Sequence, residues 1–413
     1  MSAPSTAALP SAIASLFPPE LHNRLLALRR ELHADPELSN QEHRSATRLA
    51  AALGDCGVRD VRRVGPTGIV ARVPGRDRST PVVAIRGDID ALPIQEATGL
   101  PYASTASGVM HACGHDVHAT WAVGAAALLA AAPAHGDVVI ILQPAEEVGS
   151  GALGMIEGGA LDSVAAIFGG HVDRRFALGE VVADVGPLAA SSDTFEIDLI
   201  GRGAHAARPH EGADPIVGAG ALLLALQTIV SRRVNPASAV VVTVGTINAG
   251  VAPNVIPDRC SLTGTIRAVD AATRDTAATE LQRIAASVAA AYGLEARVRI
   301  SDGTPPLINV AAPVAWAREA VTALLGEPAL VPLGTTNMAA EDFAHYLERV
   351  PGCFLRIGAR EPSGEFIPAH SPAFYPAEES IFVGAAVLAE AARGSSRALA
   401  EAASADAPRR ALR

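Results

Sequence analysis

Four short apolar runs are separated by polar or helical segments in the first part of the chain. The runs cover residues 68–73, 81–85, 137–142 and 164–168, and a segment with helical spacing occupies residues 116–132. Apolar residues in these runs are continuous rather than alternating, which is typical of strands covered on both faces. The pattern therefore predicts an α/β fold with a mixed, largely parallel sheet flanked by helices.

The residues from about 193 onwards follow a different pattern. Strand and helix signals occur in the order βαββαβ, which is typical of a ferredoxin-like split unit. The predicted elements are strand 194–200, helix 214–231, strands 239–247 and 261–268, helix 271–292 and strand 296–300. We predict a discontinuous first domain, residues 1–187 and 306–413, with a second domain, residues 188–305, inserted into it.

Two alanine-rich stretches are the longest apolar segments of the chain. They cover residues 122–134 and 218–226 and are shorter than the roughly 18 to 20 residues that cross a membrane. Both are predicted to be buried helices, and no membrane partner is expected. The first 20 or so residues and the tail after Ala392 are predicted to be loose.

Composition excludes several classes of chemistry. All 33 basic residues are Arg, so no lysine is present to form a Schiff base or to complete a phosphate-binding loop. The net charge is -10 and the arginines are scattered, which excludes nucleic acid as an expected partner.

The four cysteines lie far apart and the chain opens without a signal-peptide pattern. We therefore expect free thiols and a cytoplasmic location.

Ligand-type side chains follow three of the predicted strands. Asp88 and Asp90 come after the second apolar run. Glu146 and Glu147 come after the third run, and His171 comes after the fourth. Because sites in open α/β sheets form beyond the carboxyl ends of the strands, we expect these side chains to share one edge of the sheet.

A further cluster lies in the loop before the helical segment. The sequence His111-Ala-Cys-Gly-His-Asp116 places one thiolate and two imidazoles within five positions. Sulfur, nitrogen and oxygen ligands together suit a transition metal. An isolated Cys or His is usually a packed core residue, but the carboxylates at the strand ends favour a metal site here.

Several motifs occur in a fixed order along the chain. They are Arg86-Gly-Asp-Ile-Asp-Ala-Leu-Pro93, His111-Ala-Cys-Gly-His-Asp116, Gln143-Pro-Ala-Glu-Glu147, Gly170-His-Val172, Gly203-Ala-His-Ala206, Asn254-Val-Ile-Pro257, Gly264-Thr-Ile-Arg267, Glu341-Asp-Phe343 and His370-Ser-Pro372. Together they resemble the amidohydrolase branch of the dinuclear metallopeptidases, which includes hippurate hydrolase, N-acyl-amino-acid aminoacylases and auxin-conjugate hydrolases. The resemblance implies a zinc-peptidase-like catalytic domain and an inserted ferredoxin-like lid and dimerisation domain.

The resemblance also implies a metal site. Five residues are implied to bind two divalent ions, namely Cys113, His115, Glu147, His171 and His370. Zinc, manganese, cobalt and nickel all suit these ligand types. Two such ions can activate a bridging water and polarise a scissile carbonyl.

Three acidic residues near these ligands have other implied roles. Glu146 is the implied general base, which takes the proton of the water and passes it to the leaving nitrogen. Asp90 resembles the acid that orients a ligand. Asp88 could be a ligand or a residue that supports one, and we predict that it supports a ligand without binding metal.

Three residues of the inserted domain are implied to act on the substrate. His205 resembles an imidazole that reaches across from a partner subunit to stabilise the oxyanion, and Asn254 would assist. Arg267 resembles the residue that binds the substrate α-carboxylate, which a guanidinium can do with two hydrogen bonds. A surface histidine and a surface salt bridge are the alternatives. If His205 acts in this way, a homodimer or a dimer-based tetramer is required.

The leading hypothesis is therefore a metal-dependent amidohydrolase that cleaves the amide of an N-acyl-L-amino acid into a carboxylic acid and a free amino acid. Its partner would be that small-molecule substrate. A carboxypeptidase or dipeptidase on the same scaffold is the second hypothesis, and a non-catalytic metal-binding protein is the third.

Overall fold

The computed structural model describes residues 9–410, with side chains to residue 404. These residues form two compact units. The first unit contains the chain up to Gly186, residues Asn309–Gly334 and the chain from His345, and the second contains Pro187–Ile308 and Thr335–Ala344. Residues 335–344 come from the part of the chain that the sequence assigns to the first domain, and the domain boundaries stay a prediction.

The elements are numbered in chain order. The strands are β1 (Asp60–Val64), β2 (Gly68–Val73), β3 (Val82–Asp88), β4 (Val138–Gln143), β5 (Val164–Ala177), β6 (Val181–Val182), β7 (Gly186–Ala189), β8 (Ser192–Ile200), β9 (Ala204–His205), β10 (Val240–Ala249), β11 (Val255–Ile256), β12 (Arg259–Ala268), β13 (Glu295–Thr304), β14 (Leu307–Asn309) and β15 (Gly352–Arg360). The α-helices are α1 (Ser11–Ala14), α2 (Pro19–Ala34), α3 (His43–Asp55), α4 (His115–Ala131), α5 (Gly151–Glu157), α6 (Pro215–Thr228), α7 (Ala271–Ala291), α8 (Ala311–Leu325), α9 (Ala344–Leu347) and α10 (Ser380–Arg410). Short 3₁₀ turns cover Pro209–Glu211 and Glu327–Ala329, and a π-helical turn covers Ile229–Arg233.

The first unit is built on a seven-stranded sheet within the described residues, in the order β1-β2-β4-β3-β5-β15-β6. The four central strands β4, β3, β5 and β15 run parallel, and the outer strands pair antiparallel. Strand β3 is buried along its whole length, as expected for a parallel strand covered on both faces. The predicted mixed, largely parallel sheet with flanking helices is confirmed.

Helix α4 lies directly against strand β3. A Cβ atom at Gly87 would come within 2.5 Å of the main-chain oxygen of His118, so only glycine permits this approach of strand and helix. Nearly every residue of α4 is buried, which confirms the buried helix predicted from the stretch 122–134. The close approach brings polar residues of the helix to the carboxyl end of the strand.

The ends of the chain differ from the prediction. Residues 1–8 lie outside the described residues, but Ile13 and Phe17 are buried and the Phe17 ring packs against that of Phe382 at 5.0 Å. The predicted loose tail is also wrong, because α10 continues to Arg410. Arg393 explains part of this continuation, since its guanidinium donates to main-chain oxygens near the end of α4, including that of Leu128 at 2.7 Å.

The second unit contains a four-stranded antiparallel sheet in the order β10-β12-β8-β13. Helices α6 and α7 pack on it around a core that includes Phe195, Leu222 and Leu281. The predicted βαββαβ order is confirmed.

Helix α6 is only partly buried, whereas the stretch 218–226 was predicted to be a buried helix. Gly218, Leu222 and Leu226 face the core, but Leu224 is 77% exposed. By length and composition the helical residues Pro215–Arg233 could cross a membrane, and one third of that window is buried within the unit. One apolar stripe packs on the sheet, and a second is left uncovered.

Candidate metal centre

The side chains after β3 and β4 lie at the carboxyl edge of the sheet, as the parallel arrangement requires. Asp88 ends β3, and Glu146 and Glu147 follow β4. His171 is different, because it lies inside β5 rather than after it. The strand continues beyond the apolar run because β15 pairs with it as far as Ala177.

The five residues implied to bind metal converge within the first unit. Cys113, His115 and His171 form one group, and Cys113, Glu147 and His370 form another, with the candidate ligand atoms of each group within 4.8 Å of one another. The Sγ atom of Cys113 lies 3.2 Å from Nε2 of His171. The Oε1 atom of Glu147 lies 3.5 Å from Nε2 of His370 and 3.8 Å from Nε2 of His115.

Each buried imidazole is oriented by its second nitrogen. Nδ1 of His115 is 3.1 Å from Oδ1 of Asp90, and Nδ1 of His171 donates to the main-chain oxygen of Val172 at 2.6 Å. A proton on Nδ1 leaves Nε2 with a lone pair, which is the form of histidine that binds a metal. In that neutral form, both Nε2 atoms offer a lone pair to the cluster.

Asp90 links several parts of the site. In addition to His115, it accepts hydrogen bonds from Oγ of Ser39 at 2.7 Å and from the main-chain nitrogen of Glu147 at 3.1 Å. Burial alone would raise the pKa of Asp90, but the hydrogen bond with His115 and the other donors lower it. Asp90 is therefore an anion that fixes both an imidazole and the loop of the glutamates.

Both carboxylate oxygens of Asp88 have side-chain partners. Its Oδ2 atom accepts from Arg86 and its Oδ1 atom is 2.7 Å from Nδ1 of His118. Nε2 of His118 in turn accepts from the main-chain nitrogen of Val172 at 2.9 Å. Because both nitrogens of His118 are in use, it orients Asp88 and the backbone next to His171. His118 was not identified from the sequence, although its position three residues after His115 places it on the same helix face.

The turn before the two glutamates has an unusual backbone. Ala145 has φ of 54°, a left-handed conformation that costs about 1–2 kcal/mol for a residue with a Cβ. The main-chain nitrogen of Ala145 donates to Oε1 of the fully buried Glu42 at 2.9 Å. Glu42 was not identified from the sequence, because it lies 103 positions away in the N-cap of α3.

The electrostatics of the cluster favour a cation. Burial and the carboxylate of Glu147 raise the pKa of the Cys113 thiol well above its usual value. Burial would lower the pKa of His115, but Asp88 and Asp90 raise it well above its usual value. A cluster of this kind attracts positive charge, and a divalent ion would supply it while releasing the protons of its ligands.

Two buried atoms of the cluster show whether its residues fit a metal ion. Nε2 of His115 and Oε1 of Glu147 have no hydrogen-bond partner among the described residues, which is costly for buried polar atoms. Both atoms belong to the group of candidate ligands. The donor set of sulfur, imidazole and carboxylate therefore fits divalent transition-metal ions.

The three predicted substrate residues lie in the second unit. His205 is exposed and pairs with Val255 across the β9–β11 ladder. The main-chain oxygen of Asn254 accepts from Ala206 at 3.0 Å, so Asn254 and His205 are neighbours. Arg267 lies on β12, where one terminal nitrogen is 3.4 Å from the main-chain oxygen of Met338. Their roles stay predictions.

The parallel sheet with a mixed sulfur, nitrogen and oxygen cluster at its carboxyl edge defines a metal-dependent hydrolase. Residues 84–394 match the model of peptidase family M20/M25/M40, and the chain belongs to this family. It is 41% identical to an N-acetyl-L-cysteine deacetylase of Bacillus subtilis over 382 residues, which cover 90% of this chain and 88% of that protein. The predicted membership of the dinuclear metallopeptidases is thereby confirmed.

Two further relatives support the same assignment. The chain is 36% identical over 384 residues to IAA-amino acid hydrolase ILR1-like 2 of Arabidopsis thaliana, covering 91% of this chain and 85% of that protein. A crystal structure of a Bacillus subtilis protein described as a dinuclear metal binding peptidase superposes with a TM-score of 0.80 at 37% identity, covering 90% of this chain and 97% of that one. This chain is accordingly a metal-dependent amide hydrolase.

Proposed function

We propose that the enzyme hydrolyses the amide bond of N-acyl-L-amino acids, with two divalent ions held by its metal centre. The ligands would be Cys113, His115, Glu147, His171 and His370. The observation that carries the proposal is the pair of unpartnered buried atoms, Nε2 of His115 and Oε1 of Glu147, within a cluster of further donors. The deacetylase and amino acid hydrolase relatives support an acylated amino acid as the substrate.

The ions would polarise the scissile carbonyl and make water acidic enough to lose a proton near neutral pH. Glu146 then acts as the general base. Its Oε2 atom lies 3.9 Å from Nε2 of His115, so its carboxylate borders the ligand cluster. It receives the proton from the attacking water and delivers it to the leaving nitrogen.

The two adjacent glutamates have different surroundings, which supports different roles. The main-chain nitrogen of Glu147 is fixed by Asp90, and its side chain contacts His115 and His370. The Oε2 atom of Glu146 lies at the border of this group, 3.9 Å from Nε2 of His115. A ligand needs the fixed position, whereas a proton carrier needs to reach both water and substrate.

The proposal extends to the substrate residues of the second unit. Arg267 binds the α-carboxylate of the amino acid, and His205 with Asn254 stabilises the oxyanion that develops on the scissile carbonyl. A panel of N-acetyl, N-benzoyl and indole-acetyl amino acids beside dipeptides tests the substrate class. We expect turnover of acyl amino acids, and turnover of dipeptides alone would establish the peptidase alternative instead.

We also propose that the enzyme is a homodimer. Strand β10 is at the edge of its sheet, and the exposed apolar residues Val241, Ile247 and Leu224 lie on β10 and α6. An edge strand and exposed apolar side chains each favour pairing with another chain. Light scattering after size exclusion should give twice the chain mass.

The dimer proposal has a matched pair of variants. Leu224→Glu, on α6, should give the mass of one chain, whereas Val185→Glu, at an exposed position of the first unit, should leave the mass unchanged. A wild-type mass of one chain would contradict the dimer. A monomeric variant with undiminished turnover would contradict the partner-subunit role of His205.

A further inference from the structure

The candidate ligand His370 lies in a long segment without regular structure. The segment of residues 361–379, here called the His370 segment, runs from the end of β15 to the start of α10 and contains no helix or strand. His370 has φ of 66°, and its side chain is 53% exposed. Neither a backbone ladder nor close packing therefore fixes this imidazole, so its position must depend on how the segment is anchored.

One buried arginine contacts the segment at several points. Arg174, on β5, is 2% exposed. One terminal nitrogen lies 3.0 Å from Oε2 of Glu361 and donates to the main-chain oxygen of Tyr375 at 2.7 Å. The other donates to the main-chain oxygen of Glu365 at 2.8 Å. A single guanidinium thus contacts the His370 segment at two points before His370 and at one point after it.

Further contacts make the arrangement rigid. The guanidinium lies over the ring of Tyr375, 4.7 Å from its centroid, in a cation–π geometry. It also approaches the main-chain oxygen of Ala359, the last residue but one of β15, at 3.4 Å. A buried guanidinium is costly unless its donors find partners. Both terminal nitrogens of Arg174 contact the segment that carries a metal ligand, whereas its Nε has no hydrogen-bond partner among the described residues.

The segment also has a direct link to the thiolate loop. The main-chain nitrogen of His370 donates to the main-chain oxygen of Ala112 at 2.8 Å, one residue before Cys113. That bond fixes the main-chain nitrogen of His370. The left-handed conformation of His370 is maintained only if the residues on both sides of it are also held in place. Arg174 holds the chain on both sides of His370.

We propose that Arg174 is a positioning residue that acts through His370 on one of the two metal ions. This inference rests on the proposed dinuclear site. Arg174 does not touch the cluster; it holds the His370 segment so that the half-exposed imidazole meets Glu147 and Cys113. Residues that orient a ligand in this way typically change metal affinity by about 10- to 100-fold when replaced.

The test measures metal binding rather than turnover. The Zn²⁺-loaded enzyme is dialysed, its ions per chain are determined by elemental analysis, and the affinity of the more weakly bound ion is measured by competition with a zinc chelator. Arg174→Met should retain one ion and bind the other about 10- to 100-fold more weakly. His370→Ala should affect the same ion, and Arg174→Met should cause no further loss when added to His370→Ala.

Two more variants serve as controls for a loss of metal that is caused by misfolding alone. Arg72→Met makes the same chemical change at an arginine of β2 paired with Asp137, and should leave both ions bound as in the wild type. Glu361→Gln keeps Arg174 in place but removes its carboxylate partner, so a smaller loss of the same ion is expected even if Arg174→Met folds poorly.

Each contrary result has a distinct meaning. If Arg174→Met binds both ions with wild-type affinity, or weakens binding equally in the presence and absence of His370, the positioning role is wrong. If the wild-type enzyme itself holds fewer than two ions, the proposed dinuclear site fails first, and the inference fails with it.

Discussion

The two units use their charged residues differently. In the first unit, Arg29 and Asp116 are both fully buried and form an ion pair at 2.8 Å. In the second unit, Arg297 and Glu295 form an ion pair of similar length with both side chains about 60% exposed. Exposed pairs contribute little to stability, whereas a buried pair must be complete because either partner alone is strongly destabilising.

The buried pair lies next to the metal centre. Asp116 follows His115 in the chain and contacts Nδ1 of His33 at 2.8 Å. Nε2 of His33 is 3.2 Å from Glu96. The first unit therefore buries both members of an ion pair beside its candidate metal centre. In the second unit the acid of a pair can be buried, as at Asp193 and Asp198, but the paired arginine keeps part of its side chain exposed.

The largest effect is expected from the general base. Glu146→Gln should lower kcat by roughly 10³-fold, because general base catalysis typically contributes 10²- to 10⁴-fold, while the ions per chain stay at the wild-type number. Steady-state kinetics with an N-acetyl amino acid and elemental analysis measure the two quantities. Glu147→Gln is the matched control and should lose metal. Undiminished turnover in Glu146→Gln would contradict its role.

The next prediction separates a functional cysteine from a structural one. Cys113→Ala should weaken metal binding by at least about 100-fold, since replacing a residue that only orients a ligand already costs about 10- to 100-fold. Cys353→Ala makes the same change at a fully buried cysteine of β15 and should keep both ions. Equal metal content in the two variants would remove Cys113 from the ligand set.

Much of the first unit follows from its sequence. Uninterrupted apolar runs specify buried strands, so β2 matches its predicted bounds and β4 differs by one residue. Four of the five candidate ligands follow strands or cluster within a short loop, whereas His370 was implied only by the family resemblance. Their convergence follows from the parallel order of the strands.

Other residues of the site carried no such signal. Glu42, His118 and Arg174 are single polar residues in an N-cap, a helix and a strand. Their partners lie 103, 54 and up to 201 positions away. Sequence periodicity reports which face of an element is buried, but it does not report which distant loop meets that face.

A third prediction removes the buried ion pair. Arg29→Met leaves Asp116 without its guanidinium partner and should lower the free energy of unfolding at pH 7 by about 3–5 kcal/mol. Burial would raise the pKa of Asp116, but Arg29 and His33 hold it well below its usual value. Stability from this lowered pKa is present above the unfolded value near 4 and is lost as the pH falls. The loss of stability in the variant, measured by urea unfolding, should therefore stay near its pH 7 size down to about pH 4 and shrink as the pH falls further. A loss that stays constant below about pH 4 would contradict this origin.

The smallest effect is expected at an ion-pair cluster of the second unit, in which the buried Glu280 is paired with two arginines that are about half exposed. Arg233 and Arg283 lower the pKa of Glu280 to about 2, and their guanidinium groups contact its carboxylate at 2.8 Å and 2.7 Å. The lowered pKa means that the contribution of Glu280 is present at neutral pH and is lost as the pH falls from about 4.5 towards 2.

Glu280→Gln should therefore lower the melting temperature at pH 7 by less than Arg29→Met does. The difference from the wild type should shrink in about 1 M salt, because Arg233 and Arg283 are about half exposed and salt screens such pairs more than fully buried ones. Arg29→Met in the same salt should keep most of its effect, since its pair is shielded from solvent. If Glu280→Gln lowers the melting temperature in salt as much as Arg29→Met does, the partly exposed pairs of the second unit stabilise it as much as the buried pair stabilises the first. That result would contradict the contrast between the two units.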